Sequence, residues 1–190
     1  MVLVVVLLAA SAWVIGRQFG SSKHAPKHSS IASIRMTEFK DPGGTFDGGY
    51  PSSWKRLKTS DPQVVLLAAG PNGTSYEVAK TPIGVVINAT NLTAAEKLTN
   101  HIVDGGKDVK LIPTRYKQPE EVALGGLPGL LYLYTFLDPT TGEHGAHAHY
   151  FLFDGKTMIT LVFQSLPSNT FTSQAPLFDR IAGTFHALQG

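Results

Sequence analysis

From Ala146 to Gln164 apolar and polar residues alternate on either side of Asp154-Gly155, and Asp-Gly between two alternating runs is the strongest short hairpin signal. A two-residue turn there predicts a ladder in which Phe153 faces Lys156, Phe151 faces Met158, His149 faces Thr160 and His147 faces Val162. Upstream, Leu130 to Leu137 is a dense aromatic and aliphatic run, separated from the hairpin by Asp138-Pro139-Thr140-Thr141-Gly142. The stretch from Leu130 to Gln164 therefore predicts a three-stranded meander. Gln63 to Ala69 is apolar at both parities, as a strand covered on both faces would be. Ser75 to Thr81 places Tyr76, Val78 and Lys80 in alternation, the pattern of a half-exposed strand. A short strand is expected at Val109 to Ile112.

Two segments carry helical spacing instead. Thr93-Ala94-Ala95-Glu96 has the spacing of a capping box, and Ala94, Leu98 and Ile102 with Ala95 and Val103 make one apolar stripe before Gly105-Gly106. The second helix is expected from about Ser173 to Phe185, with Pro176 in its first turn and Phe178, Ile181, Ala182 and Phe185 at i, i+3, i+4 and i+7. Leu124-Gly125-Gly126-Leu127-Pro128-Gly129 predicts a bend before the meander. It is not a phosphate loop, because no Lys-Ser/Thr pair ends it and a strand follows. Tyr50-Pro51 and Trp54, close to the Asp41-Pro42-Gly43-Gly44 turn, are the kind of aromatics that plug one end of a core.

The chain opens differently. Val2 to Ile15 is an uncharged apolar run, shorter than the about 20 residues that span a bilayer as a helix. It reads as a signal segment or as an anchor that begins further upstream, and Trp13 suits an interfacial position. From Gly20 to Ser33 the chain is small and polar with no apolar period, as in a linker. The expected organisation is thus a membrane anchor or signal segment at 1–16, a flexible linker at 17–33 and one globular domain at 34–190. Arg17, Lys23 and Lys27 follow the apolar run and on their own would hold the domain inside. A basic extension ahead of Met1 would reverse that, and a single-pass anchor with an extracytoplasmic domain is the expected placement.

Composition narrows the function classes. With 43% apolar and 16% charged residues the chain can fill a core and does not resemble a disordered protein. A net charge of +2, with several of its cations in the linker, argues against a nucleic-acid partner. The absence of cysteine excludes disulfides, a thiolate nucleophile, iron–sulfur clusters and zinc ribbons. No G-x-S-x-G elbow is present, and the carboxylates Asp138, Glu143 and Asp154 sit in turns for backbone reasons. No cofactor is implied.

The one cluster with chemical potential is Glu143-His144-Gly145-Ala146-His147-Ala148-His149. On a strand His147 and His149 share a face with their side chains about 7 Å apart, so they would be able to hold Zn2+ or Cu2+ with His144 or Glu143 curling in from the turn. That face continues through Phe151 and Phe153. Beneath a helix, hydrogen-bonded histidines there are ordinary packing. Packing is the favoured reading, and a metal site of His144, His147 and His149 is the alternative.

The order Tyr50-Pro51-x-x-Trp54, then Leu124 to Gly129 before an aromatic strand, then the hairpin, then Phe178-x-x-Ile181-x-x-Thr184-Phe185 resembles the PsbP-like superfamily, over roughly Asp41 to Leu188. These domains share an α/β/α sandwich with the Ran-binding Mog-type proteins, and this chain looks most like their anchored actinobacterial versions. The resemblance implies an α+β fold, a central antiparallel sheet flanked by helices, and a protein that works by binding other proteins. The matching positions are structural, so no functional residue carries over. The function expected is a membrane-anchored, non-catalytic accessory or adaptor domain for another envelope protein; the alternative is an anchored small-ligand or metal-binding module on the His147/His149 strand.

Overall fold

The structure, a computed structural model, describes residues 31–188. The apolar segment at 1–16, with the helix expected there, and residues 17–30 of the linker lie outside the described residues. Among the described residues no helix is long and apolar enough to cross a membrane.

All ladders are antiparallel. A small sheet has the order β1-β2-β10, built from β1 (Met36–Lys40), β2 (Phe46–Pro51) and β10 (His186–Ala187). The large sheet begins with β3 (Lys55–Arg56), β4 (Val64–Ala69) and β5 (Thr74–Ile87). Beyond β5 lie the ribbon β9 (His144–Ser165) and then β8 (Leu127–Leu137), whose outer side pairs with both β6 (Lys110–Leu111) and β7 (Glu120–Leu124). Among the described residues there are two α-helices, α1 (Leu92–Asp104) and α2 (Phe171–Ala182). The fold is α+β, dominated by antiparallel sheet.

Strand periodicity separates two cores. Ala146, Ala148, Leu152, Ile159, Leu161 and Phe163 face α2 and the small sheet, meeting Phe178, Ile181, Phe46 and Phe185. Phe151, Phe153, Met158, Tyr132 and Tyr134 point the other way, onto Leu92, Ala95 and Val103 of α1. The helices therefore cover opposite faces of the large sheet. Phe163 is fully buried, with its ring 4.6 Å from Tyr76 and 5.3 Å from Phe178, so one aromatic stack ties β5, the ribbon and α2. The Tyr76 hydroxyl in that stack is buried without a partner, and burial pushes its pKa up. Tyr76→Phe removes a desolvated oxygen and no hydrogen bond. It is expected to leave stability unchanged or raise it by about 1 kcal/mol in urea unfolding.

The ribbon is a hairpin, as its sequence indicates. Seventeen extended residues would span roughly 55 Å, yet His147 Nε2 lies 3.0 Å from Gln164 Oε1. Gly155 takes φ +58° while Asp154 keeps a negative φ, so this is not the type I′ Asp-Gly turn. The His147 ring hydrogen-bonds Gln164, which lies on the same face as Val162 two residues further along the returning strand.

Other expectations shift as well. Helix α1 starts at Leu92 with Asn91 at its N-cap and no side-chain cap bond. The Asn91 Oδ1 accepts from the Asn88 amide instead, so the Thr93/Glu96 capping box does not form. Its buried stripe is Leu92, Ala95, Thr99 and Val103, with Ala94 exposed, because the Thr99 hydroxyl packs inward 2.7 Å from Tyr132 Oη. Helix α2 starts at Phe171, which moves Pro176 beyond its first turn; the exposed Thr172 sits where its carbonyl loses that amide donor. Strand β5 is buried on both faces over Thr74–Ala79 rather than half-exposed, because β4 and the ribbon flank it while both cores cover it.

Two polar ties fix the periphery. Asp41 Oδ2 accepts from Lys80 Nζ at 3.0 Å and from Thr45 Oγ1 at 2.7 Å, joining the β1–β2 turn to β5. At the entry to the domain, Ile31–Ser33 forms one 3-10 turn. The Arg180 guanidinium donates to the carbonyls of Ile31 and Ile34, the latter at 2.8 Å.

Candidate functional site

The sequence-singled histidines do not stay together. His144 is exposed, with Nε2 3.9 Å from Asp108 Oδ2. His147 and His149 lie side by side on the α1 face, opposite Tyr134 and Tyr132 respectively in the β8 ladder. The Tyr134 hydroxyl lies 3.0 Å from His147 Nδ1 and 3.1 Å from His149 Nδ1. The polar cluster is thus His147, His149, Tyr134 and Gln164. Sequence reasoning missed the tyrosine and the glutamine, which are brought in by the β8 register and by the returning half of the ribbon.

With the Gln164 amide oxygen turned toward His147, proton counting gives one set of tautomers. Gln164 Oε1 accepts, so His147 Nε2 carries the hydrogen and, in the neutral ring, Nδ1 is bare. Tyr134 donates its single hydrogen there. His149 Nδ1 must then carry the hydrogen that it donates to the Tyr134 oxygen, which leaves His149 Nε2 bare. That nitrogen is buried and has no partner.

Aromatic rings enclose the cluster. The His149 ring stacks on Phe151 with centroids 3.9 Å apart, and the His147 ring lies 4.2 Å from that of Phe136. Burial lowers the His147 pKa to about 4, against a smaller opposing effect of the Gln164 bond. Burial, and then the neighbouring His147, lower that of His149. Burial pushes the Tyr134 phenol up. All three groups are neutral at pH 7.

A chain of neutral donors and acceptors positions a tautomer, but it supplies neither a nucleophile nor a paired acid and base. Among the described residues no group of three His, Cys, Asp or Glu side chains stands where it would hold a metal ion. Two clefts lie elsewhere. One of about 290 Å³ sits at the sheet edge between Arg56–Thr59 and Val64–Leu67, and a shallow one of about 500 Å³ lies over the outer side of α1 at Thr93, Glu96, Lys97, Asn100, His101 and Asp104. Neither is lined by the histidine cluster. Tyr134→Phe strands both Nδ1 atoms and is expected to cost about 2 kcal/mol, measured by urea unfolding, with altered His147 and His149 tautomer populations in 15N spectra.

No protein-family model matches the chain, and no curated protein matches it. Solved structures do. A cyanobacterial PsbP protein (CyanoP) from Synechocystis sp. PCC 6803 superposes with a TM-score of 0.54 at 17% identity, covering 87% of this chain and 99% of the other. LpqN, involved in cell envelope biogenesis of Mycobacterium tuberculosis, gives 0.57 at 12% identity over 83% and 92%. The Saccharomyces cerevisiae Ran-binding protein Mog1p gives 0.50 at 12% over 82% and 96%. By these superpositions the protein has the PsbP/Mog-like fold.

Proposed function

We propose that this chain is a membrane-anchored, extracytoplasmic accessory domain that binds another envelope protein and carries out no catalysis. The observation that carries the proposal is the placement of the histidine cluster, with His149 and Tyr134 buried and His147 partly buried beside them. The groups with chemical potential are spent on one another inside the α1 core, and neither described cleft reaches them. Domains of this fold include one involved in envelope biogenesis and one that binds Ran, which favours a protein partner. The apolar run at Val2–Ile15 and the polar stretch after it support a tether, and 1–16, 17–33 and 34–190 remain the proposed divisions.

Proximity labelling in intact cells, with protease protection of the same fusion, tests this. The expected result is a domain digested from outside and a small set of enriched envelope proteins. No enrichment over a fusion of residues 1–33 alone, with a deletion strain that grows normally, would sink it.

A second reading, a metal-binding module, draws on the two imidazoles meeting at Tyr134. His144 stands apart beside Asp108, so such a site would need Tyr134 in its place. Elemental analysis and thermal shift with Zn2+ or Cu2+ decide it: a stoichiometric metal lost in His147→Ala supports the reading, and no metal with no shift removes it.

A further inference from the structure

We infer that the β3 edge of the large sheet is the partner-binding surface, and that it takes an extended acidic segment of another protein as an added strand. This rests on the accessory-domain reading and names its surface and the chemistry of its partner.

Strand β3 ends the sheet and pairs with β4 only through Lys55 opposite Ala69 and Arg56 opposite Ala68. The Leu57 amide donates to Leu67 O at 2.8 Å, so Leu57 directs its backbone groups inward. By the alternation of an antiparallel ladder, Arg56 and Lys58 direct theirs outward, and no described backbone bond uses them. An open row of this kind is a template for another strand.

The side chains say which strand. In a chain with a net charge of only +2, Lys55, Arg56 and Lys58 place three cations within four residues. Arg56 and Lys58 are exposed, and among the described residues neither has a carboxylate in ion-pair contact. Arg56 donates one N–H to Val65 O at 3.1 Å, and its remaining donors are available for a carboxylate. The 290 Å³ cleft beside them, floored by Leu57 and Val64–Leu67, has room for a side chain of the incoming segment. Cations on an edge strand also repel a second copy of the same edge. The charges that prevent self-pairing thus select an acidic strand.

The test titrates the full chain with a labelled ten-residue peptide of alternating Glu and Thr, against one of alternating Lys and Thr. The expected result is at least about tenfold tighter binding of the acidic peptide, falling with salt, and slower amide exchange at Arg56 and Lys58. Arg56→Glu with Lys58→Glu reverses the preference, and Lys58→Glu alone weakens acidic binding severalfold. Unchanged exchange at these amides, or equal affinity in the variants, overturns the inference. In cells, the double variant labelling the same partners as the parent overturns it while leaving the accessory-domain reading intact. A parent that labels none counts against that reading, and the peptide titration still decides the edge.

Discussion

Lowering the pH from about 6.5 to about 4 is expected to remove roughly 3 kcal/mol of stability through His147 alone. His147 is only partly buried by its surface, so this is an upper figure for one ring, and the buried His149 adds to it in the same direction. Both imidazoles have folded pKa values below the ordinary 6.5, so the unfolded chain binds protons that the native one refuses. The His147 contribution is fully present above pH 6.5, falls as its unfolded imidazole titrates, and stops falling once His147 protonates near pH 4 in the folded state. Against a typical total of about 5–15 kcal/mol, that is a large share. The carboxylates act elsewhere on the scale. The Asp41 burial is outweighed by its Thr45 and Lys80 bonds, which hold its pKa low, so its contribution is lost only in stronger acid. Burial raises Asp179, which opposes the loss slightly. Urea unfolding across this range, in parent and in His147→Gln with His149→Gln, measures the effect. Parallel pH curves for the two would refute the assignment to these histidines.

Gly125→Ala is expected to cost about 3–4 kcal/mol, which for a domain of this size is roughly 10 °C in Tm. Gly125 sits in the β7–β8 turn at φ +59°, and a Cβ there would lie 2.5 Å from both the ring and the carbonyl oxygen of Phe185. Phe185 is buried in the α2 core, and the Gly125 carbonyl accepts from Ala187 at 2.9 Å, so neither side yields without breaking the approach of β10. The neighbouring Gly126 is the control. It has φ +89° and nothing within 4 Å of a built Cβ, so its alanine variant carries backbone strain alone, about 1–2 kcal/mol. Equal effects at the two positions would show that the cost lies in the turn conformation and not in contact with Phe185.

Strong alternation made the centre of the protein legible. The ribbon and both helices announce themselves by period, and β4 and β8 by unbroken apolar runs, because each lays apolar residues on a core. The small sheet does not. β2 contains Asp47-Gly48-Gly49, and its partners β1 and β10 come from opposite ends of the domain. Its tie to Thr184, whose hydroxyl accepts from the Gly49 amide at 2.8 Å, spans a separation that no local pattern encodes. β7 is short and half polar, so its pairing with β8 was equally hidden. The histidine cluster was half visible. His147 and His149 share a face by parity, which sequence supplies. Tyr134 joins them through the β8 register and Gln164 from the returning half of the ribbon, contacts that no local pattern encodes. His144, only three residues from His147, left the group because the ribbon begins there and its exposed ring turns to Asp108.

The clasp of Arg180 on Ile31 and Ile34 has a mechanical meaning. Any load carried along the leading segment arrives at those carbonyls before it reaches β1. It is passed sideways into α2 and so into the aromatic stack beneath. A pull on this domain would first have to open one guanidinium grip, and only then begin to unzip the small sheet.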